Sequence, residues 1–375
     1  MIMRSFLLDL PVRRWRSYLI LPVALVLLGG STRGTALAGS SKDEEDSRSV
    51  KVTTEKRIYV KNTRGKTIIV GRKNANEVRI RVLKVVRARD DKTAARWMEE
   101  LEYGVETDGE QVSVVTRHPE RTEEGWTFWT FLKRITDKAY IDYTIEVPDT
   151  FDAKVSTTSG DVNITSLEGD VKLFGSSGDV FLKGVGGGAF VELSSGRVEA
   201  EDVGKDVYIR MSSGGAVVRN AGGSVSIQGT SGDAEIDQAG GGANVELSSG
   251  DLILQGCKGD VTAKSHNGDI EIDDVGGSIA AGATSGDIYV TLTPVGPREY
   301  AFDTSSGDVD VTFHTPEGYG FLLEVGTGNG AIEGNLDVRL DEVSRKTLRG
   351  TVGSGEGRLR IETASGDIRI HQKGK

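Results

Sequence analysis

Aspartates that could bind calcium recur at a fixed spacing in the middle of the chain. Calcium-binding rolls are also built from short glycine–aspartate repeats, but they carry a G-G-x-G-x-D pattern around one apolar position per unit. Here each unit has two apolar positions and usually one glycine, so an aspartate that bonds its own turn is the simpler interpretation. We predict no metal site and leave weak calcium binding open. The aspartates are Asp161, Asp179, Asp233, Asp251, Asp269 and Asp287.

Paired carboxylates offer a second chemistry, the hydrolysis of glycosidic bonds. Glu199 and Glu235 are predicted to face outward two coils apart, or about 9.6 Å, which is compatible with an inverting pair of acids. Surface acids that recur with the repeat explain the pair more simply. We predict no catalytic residue and no cofactor, and keep a carbohydrate-active enzyme as the alternative.

The single cysteine and the four histidines form no recognisable catalytic group. Cys257 falls in a column of valines and alanines, which predicts a buried apolar filler, with a reactive thiol as the alternative. No two histidines have the spacing of metal ligands, and none lies beside a nucleophile motif. The histidines are His118, His266, His314 and His371.

Aromatic residues give the best indication of a binding surface. Phe190 and Tyr208 are predicted to stack outward on adjacent coils, with Phe181 in the neighbouring column, and such rings could hold a sugar or a protein partner. Trp126 and Trp129 belong to an aromatic cluster between charged runs. The alternative for both groups is ordinary packing, since large aromatics are costly to leave in water. These five residues are the candidate ligand surface.

The elements that must position these residues follow from a repeat. A glycine recurs every nine residues from Gly160 to Gly286, and it departs from the rhythm once, at Gly204. The second and fourth residues after each glycine position are apolar, as in Val180 and Leu182. Spacing of two with many β-branched residues is typical of short strands with one buried face.

Two nine-residue units together make one coil, because Ser-Gly-Asp turns alternate with looser glycine turns. Residues 18 apart should therefore lie above one another. The sequence predicts an all-β fold, a single-stranded β-solenoid with 18-residue coils, in which one column is buried and one column of hydroxyls bonds to its neighbours and to turn amides. The buried column is Leu167, Val185, Val203, Ala221, Ala239, Cys257 and Val275; the hydroxyl column is Ser176, Ser194, Ser212, Thr230, Ser248, His266 and Thr284.

The N-terminus has the pattern of an export signal. Arg13, Arg14 and Arg16 precede an apolar run from Tyr18 to Leu28, and Ala36-Leu37-Ala38 matches a cleavage site. The run is too short to span a membrane, so no stable span is expected after cleavage, although an uncleaved anchor stays open. Cleavage after residue 38 removes five arginines and one aspartate and changes the net charge from −10 to −14. That charge argues against nucleic acid as a partner.

The remaining divisions follow changes in composition and rhythm. Alternating apolar residues and one helical stretch, Asp91 to Tyr103, predict that a small β-rich region with one helix precedes the solenoid. After residue 292 the spacing of the glycines loosens. The predicted divisions are 1–38 signal peptide, 39–49 flexible polar leader, 50–155 introductory region, 156–292 regular solenoid, 293–371 irregular coils and 372–375 tail.

Three segments together resemble a known bacterial family. They are the Ser-Ser-Gly-Asp-Val units such as 176–180, Ile145-Glu146-Val147-Pro148, and the closing Glu362-Thr363-Ala364-Ser365-Gly366-Asp367-Ile368. As an ordered set over about residues 50–370 they look like the DUF4097 family, also called candidate adhesins. The resemblance implies an extracytoplasmic or membrane-associated β-solenoid and carries over no catalytic or binding residue.

Architecture and resemblance lead to one functional hypothesis. The chain is expected to be a non-enzymatic, exported, adhesin-like module that binds or scaffolds at the bacterial cell envelope, in the periplasm, on the surface or outside the cell. Its partner would be an envelope component, a glycan or a protein. The alternatives are the carbohydrate-active enzyme and an accessory protein of envelope-stress signalling.

Overall fold

The alternation of apolar and polar residues produces strands in two long sheets that face each other across a narrow core. The computed structural model describes residues 40–117, 138–314 and 318–373. The chain divides after Ala38 into two units, and the described residues all belong to the second. Within them one sheet, sheet A, has 15 strands, and the other, sheet B, has 16. The predicted all-β solenoid is confirmed.

The N-terminal region is β-rich with one helix, as predicted, and its strands belong to the same two sheets. Its elements are β1 (Ser40–Lys51), β2 (Arg57–Arg64), β3 (Thr67–Arg72), β4 (Glu77–Ala88), α1 (Asp91–Glu100), β5 (Glu102–Asp108), β6 (Gln111–Arg117) and β7 (Lys138–Pro148).

In the regular part the strands alternate strictly between the sheets. Those of sheet B are β8 (Asp152–Ser159), β10 (Val171–Ser177), β12 (Ala189–Ser195), β14 (Val207–Ser213), β16 (Val225–Ser231), β18 (Ala243–Ser249), β20 (Val261–Asn267) and β22 (Ile279–Ser285). Those of sheet A are β9 (Val162–Leu167), β11 (Val180–Val185), β13 (Val198–Val203), β15 (Ala216–Ala221), β17 (Ala234–Ala239), β19 (Leu252–Cys257), β21 (Ile270–Asp273) and β23 (Ile288–Leu292).

The C-terminal part continues both sheets at altered spacing. Its strands are β24 (Glu299–Ser306), β25 (Val309–Phe313), β26 (Phe321–Thr327), β27 (Ile332–Asn335), β28 (Arg339–Val343), β29 (Thr347–Val352), β30 (Gly357–Ser365) and β31 (Ile368–Gln372).

Residues 18 apart lie directly opposite one another on neighbouring parallel strands. Val180, for example, pairs with Val162 on one side and Val198 on the other. All seven residues of the predicted apolar column are buried, including Cys257. Each coil is too thin to bury its own apolar face, so stacking makes the core continuous.

The Ser-Gly-Asp turns are linked to the next coil by the aspartate carboxylate as well as by backbone hydrogen bonds. The backbone N–H of Asp179 donates to Oδ1 of Asp161 at 3.1 Å, and that of Asp269 to Oδ1 of Asp251 at 2.9 Å. The carboxylate therefore bonds the next coil and not its own turn, contrary to our interpretation. The predicted hydroxyl column is mostly exposed, and the bond from Thr284 to His266 at 2.9 Å is one inside it.

A second set of turns depends on left-handed backbone at every eighteenth residue. Gly184 and Gly256 occupy it, and so do five non-glycine residues with φ between 51° and 64°. Small polar residues and glycine tolerate this conformation best. The five are Ser166, Asp202, Asn220, Gln238 and Asp274.

The flexible leader predicted for 39–49 is wrong for residues 40–49, which lie in β1. This strand pairs antiparallel with β4 along its whole length. Backbone hydrogen bonds need no apolar side chain, and the polar residues find polar partners: the Tyr103 hydroxyl donates to Asp46, and Arg48 lies 4.7 Å from the centre of the Tyr103 ring. A polar edge strand also discourages pairing with other chains.

The order of coils in space departs from their order in the chain at both ends. β2 lies between β6 and β8, and β30 lies between β24 and β26. At each end of the regular coils, the strand that pairs with the last regular strand of sheet B is therefore not its neighbour in the chain. At the N-terminal end, buried Asn62 of β2 helps to hold this strand in position. Its side-chain amide donates to the carbonyl oxygens of Gly65 and Ile141 at 3.1 and 2.9 Å.

Candidate binding surface on sheet B

Three aromatic rings form a continuous strip on the outer face of sheet B. Phe190 and Tyr208 lie directly opposite each other on β12 and β14, with ring centres 5.0 Å apart and planes inclined by 9°. Phe174, on β10, lies 5.6 Å from Phe190 at 45° and is 37% exposed. We call Phe174, Phe190 and Tyr208 the aromatic strip.

The strip follows from the strand period. Side chains of a strand alternate between the two faces, so every second residue points outward, and parallel pairing aligns the outward residues of successive coils. The stacking predicted for Phe190 and Tyr208 is confirmed. Because the sheet is rigid, the rings need no ordering when a partner binds.

One sequence-based assignment needs correction, and one aromatic residue was missed. Phe181 lies on β11 in sheet A, on the opposite face of the solenoid, so it cannot join the strip. Phe174 was missed because it holds the second outward position of its strand, whereas Phe190 and Tyr208 hold the first. Its signal is the alternation itself, two residues after Lys172. Trp126 and Trp129 lie outside the described residues.

Polar side chains hold one end of the strip in place. The Tyr208 hydroxyl donates to Oε1 of Gln228 at 3.2 Å, and the Arg210 guanidinium donates to the same oxygen at 2.9 Å. Both contacts lie on the outer face of sheet B. They anchor the hydroxyl end of Tyr208, and the stacked rings of Phe190 and Tyr208 present their outward edges as the contact surface.

The carboxylates considered for hydrolysis are occupied by an arginine. Arg219 lies between them and donates to Glu199 at 2.9 Å and to Glu235 at 3.1 Å. Its guanidinium fills the space in which an inverting enzyme holds its nucleophilic water. The geometry therefore supports a surface ion-pair network and gives no support to hydrolysis at this pair.

The other candidate groups have structural roles in the described ranges. Burial raises the pKa of Cys257 to about 11, which suits a core thiol. No group of three or more His, Cys, Asp or Glu residues in residues 40–117, 138–314 and 318–373 is arranged to hold a metal ion. The aspartates accept hydrogen bonds from the next coil along the solenoid.

Two clefts in the described residues lie away from the aromatic strip. One of about 460 Å³ is lined by the turn after β3, where Arg72 pairs with Glu146 at 2.7 Å and Arg79 with Glu77 at 2.5 Å. Another of about 430 Å³ lies near Asp303 and Lys346 at the C-terminal end. Both clefts are open to solvent, whereas ligand pockets usually enclose most of the ligand's surface.

Comparison with known protein families gives a match to part of the chain. Residues 190–371 match the family model described as Toastrack DUF4097. The family resemblance is confirmed over these residues. The match includes Phe190 and Tyr208 and leaves Phe174 and the N-terminal region outside.

Several solved structures are similar to this chain at low sequence identity. A candidate cell adhesion protein from Clostridium sporogenes is 11% identical, with 88% of this chain and 100% of that chain covered and a TM-score of 0.19. A candidate adhesin from Bacteroides fragilis is 10% identical over 87% and 97% of the two chains, with a TM-score of 0.23. One from Parabacteroides distasonis is 10% identical over 88% and 97%, with a TM-score of 0.33.

One comparison found no match. No curated protein matches this chain. Among the described residues, no helix has both the length and the apolar character needed to cross a membrane.

Proposed function

We propose that the protein is an exported, non-enzymatic, adhesin-like module that binds a component of the bacterial cell envelope through the aromatic strip of sheet B. The observation that carries the proposal is the stack of Phe174, Phe190 and Tyr208 on the outside of a rigid parallel sheet. Exposed aromatic rings in a contiguous row are typical of binding surfaces.

The rest of the molecule supports display and not catalysis. The solenoid repeats backbone contacts from coil to coil, which keeps its outward side chains at a constant spacing. The paired acids are bridged by Arg219, and the core thiol is buried. The DUF4097 match and the names of the similar structures agree with adhesion, and the export pattern in residues 1–38 agrees with a place at the envelope.

The test is capture of envelope components by the purified protein. Immobilised protein is incubated with solubilised envelope fractions and, separately, with a glycan array. Phe190→Ala and Tyr208→Ala should each lower the affinity for the captured component about fivefold, since an aromatic contact contributes about 1 kcal/mol.

Phe181→Ala is the matched control, because it removes a partly exposed phenylalanine from the opposite sheet. It should leave capture unchanged. Equal loss in all three variants would indicate a general effect on folding, which circular dichroism detects. Normal capture by Phe190→Ala and Tyr208→Ala would reject the strip as the binding surface.

A further inference from the structure

Two lysines continue the row of residues that contains the stacked rings. Lys154 on β8 lies directly opposite Lys172 on β10, and Lys172 lies opposite Phe190 on β12. Reading along the solenoid, the outward positions are therefore Lys154, Lys172, Phe190 and Tyr208. Cations and aromatic side chains lie in one line at the spacing of the strands.

These two lysines lack the carboxylate partner that several other cations of the solenoid have. Lys183 meets Glu201 at 2.8 Å and Lys264 meets Glu246 at 4.0 Å on a neighbouring coil, whereas Arg210 donates to Gln228. In the part of the chain that the structure describes, no carboxylate pairs with Lys154 or Lys172.

Like charges directly opposite each other destabilise a sheet, so this pair works against folding. The Lys154 ammonium lies 5.6 Å from the centre of the Tyr59 ring, which offsets part of that cost and keeps the charge at the surface. The chain as a whole carries −10. An anion bound between Lys154 and Lys172 would relieve their mutual repulsion.

The spacing favours an elongated ligand that lies along the row. Neighbouring strands are about 4.8 Å apart, close to the length of one monosaccharide in an extended chain. The apolar C–H groups of a pyranose pack against the exposed parts of aromatic rings, and a lysine ammonium pairs with a carboxylate as a compact point charge. One row thus offers both contacts that a sugar acid requires.

We propose that this row binds a linear anionic glycan, a polysaccharide with carboxylate groups, with Lys154 and Lys172 pairing with its carboxylates and Phe190 and Tyr208 packing on its sugar rings. The inference rests on the proposed function, since it names the ligand class of the same surface. Single-stranded nucleic acid also combines anionic groups with flat rings, so it is included in the test.

The experiment measures binding of three probes by isothermal titration calorimetry. The probes are oligogalacturonate, neutral cellohexaose and an oligo-dT strand. Wild type should bind oligogalacturonate, and raising NaCl from about 50 mM to about 500 mM should weaken that binding because exposed ion pairs are screened. The double variant Lys154→Gln/Lys172→Gln should lose about tenfold in affinity.

Lys183→Gln is the control, because it removes a paired lysine from sheet A; it should bind as wild type does. The double variant should melt at the same temperature as wild type or higher, because it relieves a like-charge contact. A lower melting temperature together with weaker binding would show that the lysines are structural and would overturn the proposal.

The remaining outcomes separate this inference from the proposed function. Equal affinity for cellohexaose, preference for oligo-dT, or full binding by the double variant would overturn the anionic glycan. If Phe190→Ala and Tyr208→Ala still weakened envelope capture in that case, the aromatic strip would stand as a surface for another ligand. If those two variants captured normally, the proposed function itself would fail.

Discussion

Replacing Gly232 with alanine tests the stacking of the coils most directly. Gly232 has φ of +120°, a conformation that residues with a side chain rarely adopt. An added Cβ would lie 2.5 Å from the carbonyl carbon of Gly214 in the preceding coil and closer still to its oxygen. Both neighbours are backbone, so no side chain can move aside.

The expected loss combines two effects. Left-handed backbone costs a non-glycine residue about 1–2 kcal/mol. Forcing a methyl group into a closely packed place costs about 1–3 kcal/mol more, because the two coils must move apart and their strand hydrogen bonds lengthen. We therefore expect Gly232→Ala to lower the free energy of unfolding by about 2–5 kcal/mol.

Two control glycines separate these effects. Gly296 has φ of +68° and open space around it, so Gly296→Ala should lose only about 1 kcal/mol. Gly326 has open space and no positive φ, so Gly326→Ala should be neutral or slightly stabilising. Urea unfolding followed by far-ultraviolet circular dichroism measures all three. If Gly232→Ala were as stable as Gly326→Ala, the close approach of successive coils would be refuted.

Three further predictions concern the turn aspartates, the Cys257 thiol and the apolar core. Asp251→Ala removes the acceptor for the N–H of Asp269, 2.9 Å away, and should cost about 1 kcal/mol in urea unfolding, with Asp251→Asn nearer to wild type. Since burial raises the pKa of Cys257 from 9.0 to about 11, the neutral thiol stabilises the fold fully below pH 9, and this contribution disappears as pH rises toward 11. Native protein should accordingly resist alkylation that proceeds rapidly in urea; fast native labelling would contradict the burial. Val180→Asp and Ile236→Asp place a charge at sites 2% and 1% exposed, and each should cost about 3–5 kcal/mol; an unchanged melting temperature in both would reject the inward assignment.

Much of the regular solenoid is predictable from the sequence because one period controls both burial and alignment. The positions of Leu167 and Cys257 in a buried column, and of Phe190 and Tyr208 in an outward one, follow from counting by 18. The count also assigns Phe181 to a different column from Phe190. It does not show that the two columns lie on opposite sheets, since that depends on where each coil bends.

Some local features escaped because their sequence signal is weak. Residues as different as Ser166, Gln238 and Gly256 adopt the left-handed conformation at this position. No single residue type marks it in the sequence. Strand β1 escaped because its stability comes from the exposed edge of β4 and not from its own composition. The role of the aspartates was missed because their donors belong to the next coil.

The sequence by itself determined which residues face the core and which face water, because that choice depends on the apolar pattern of each strand. Tertiary structure alone decided which coil lies beside which at the two ends, where β2 separates β6 from β8 and β30 separates β24 from β26. The physical reason is that parallel strands pair through backbone groups that every residue carries. An open edge accepts any strand of suitable length, so side-chain packing around that edge, and not the repeat, selects the neighbour.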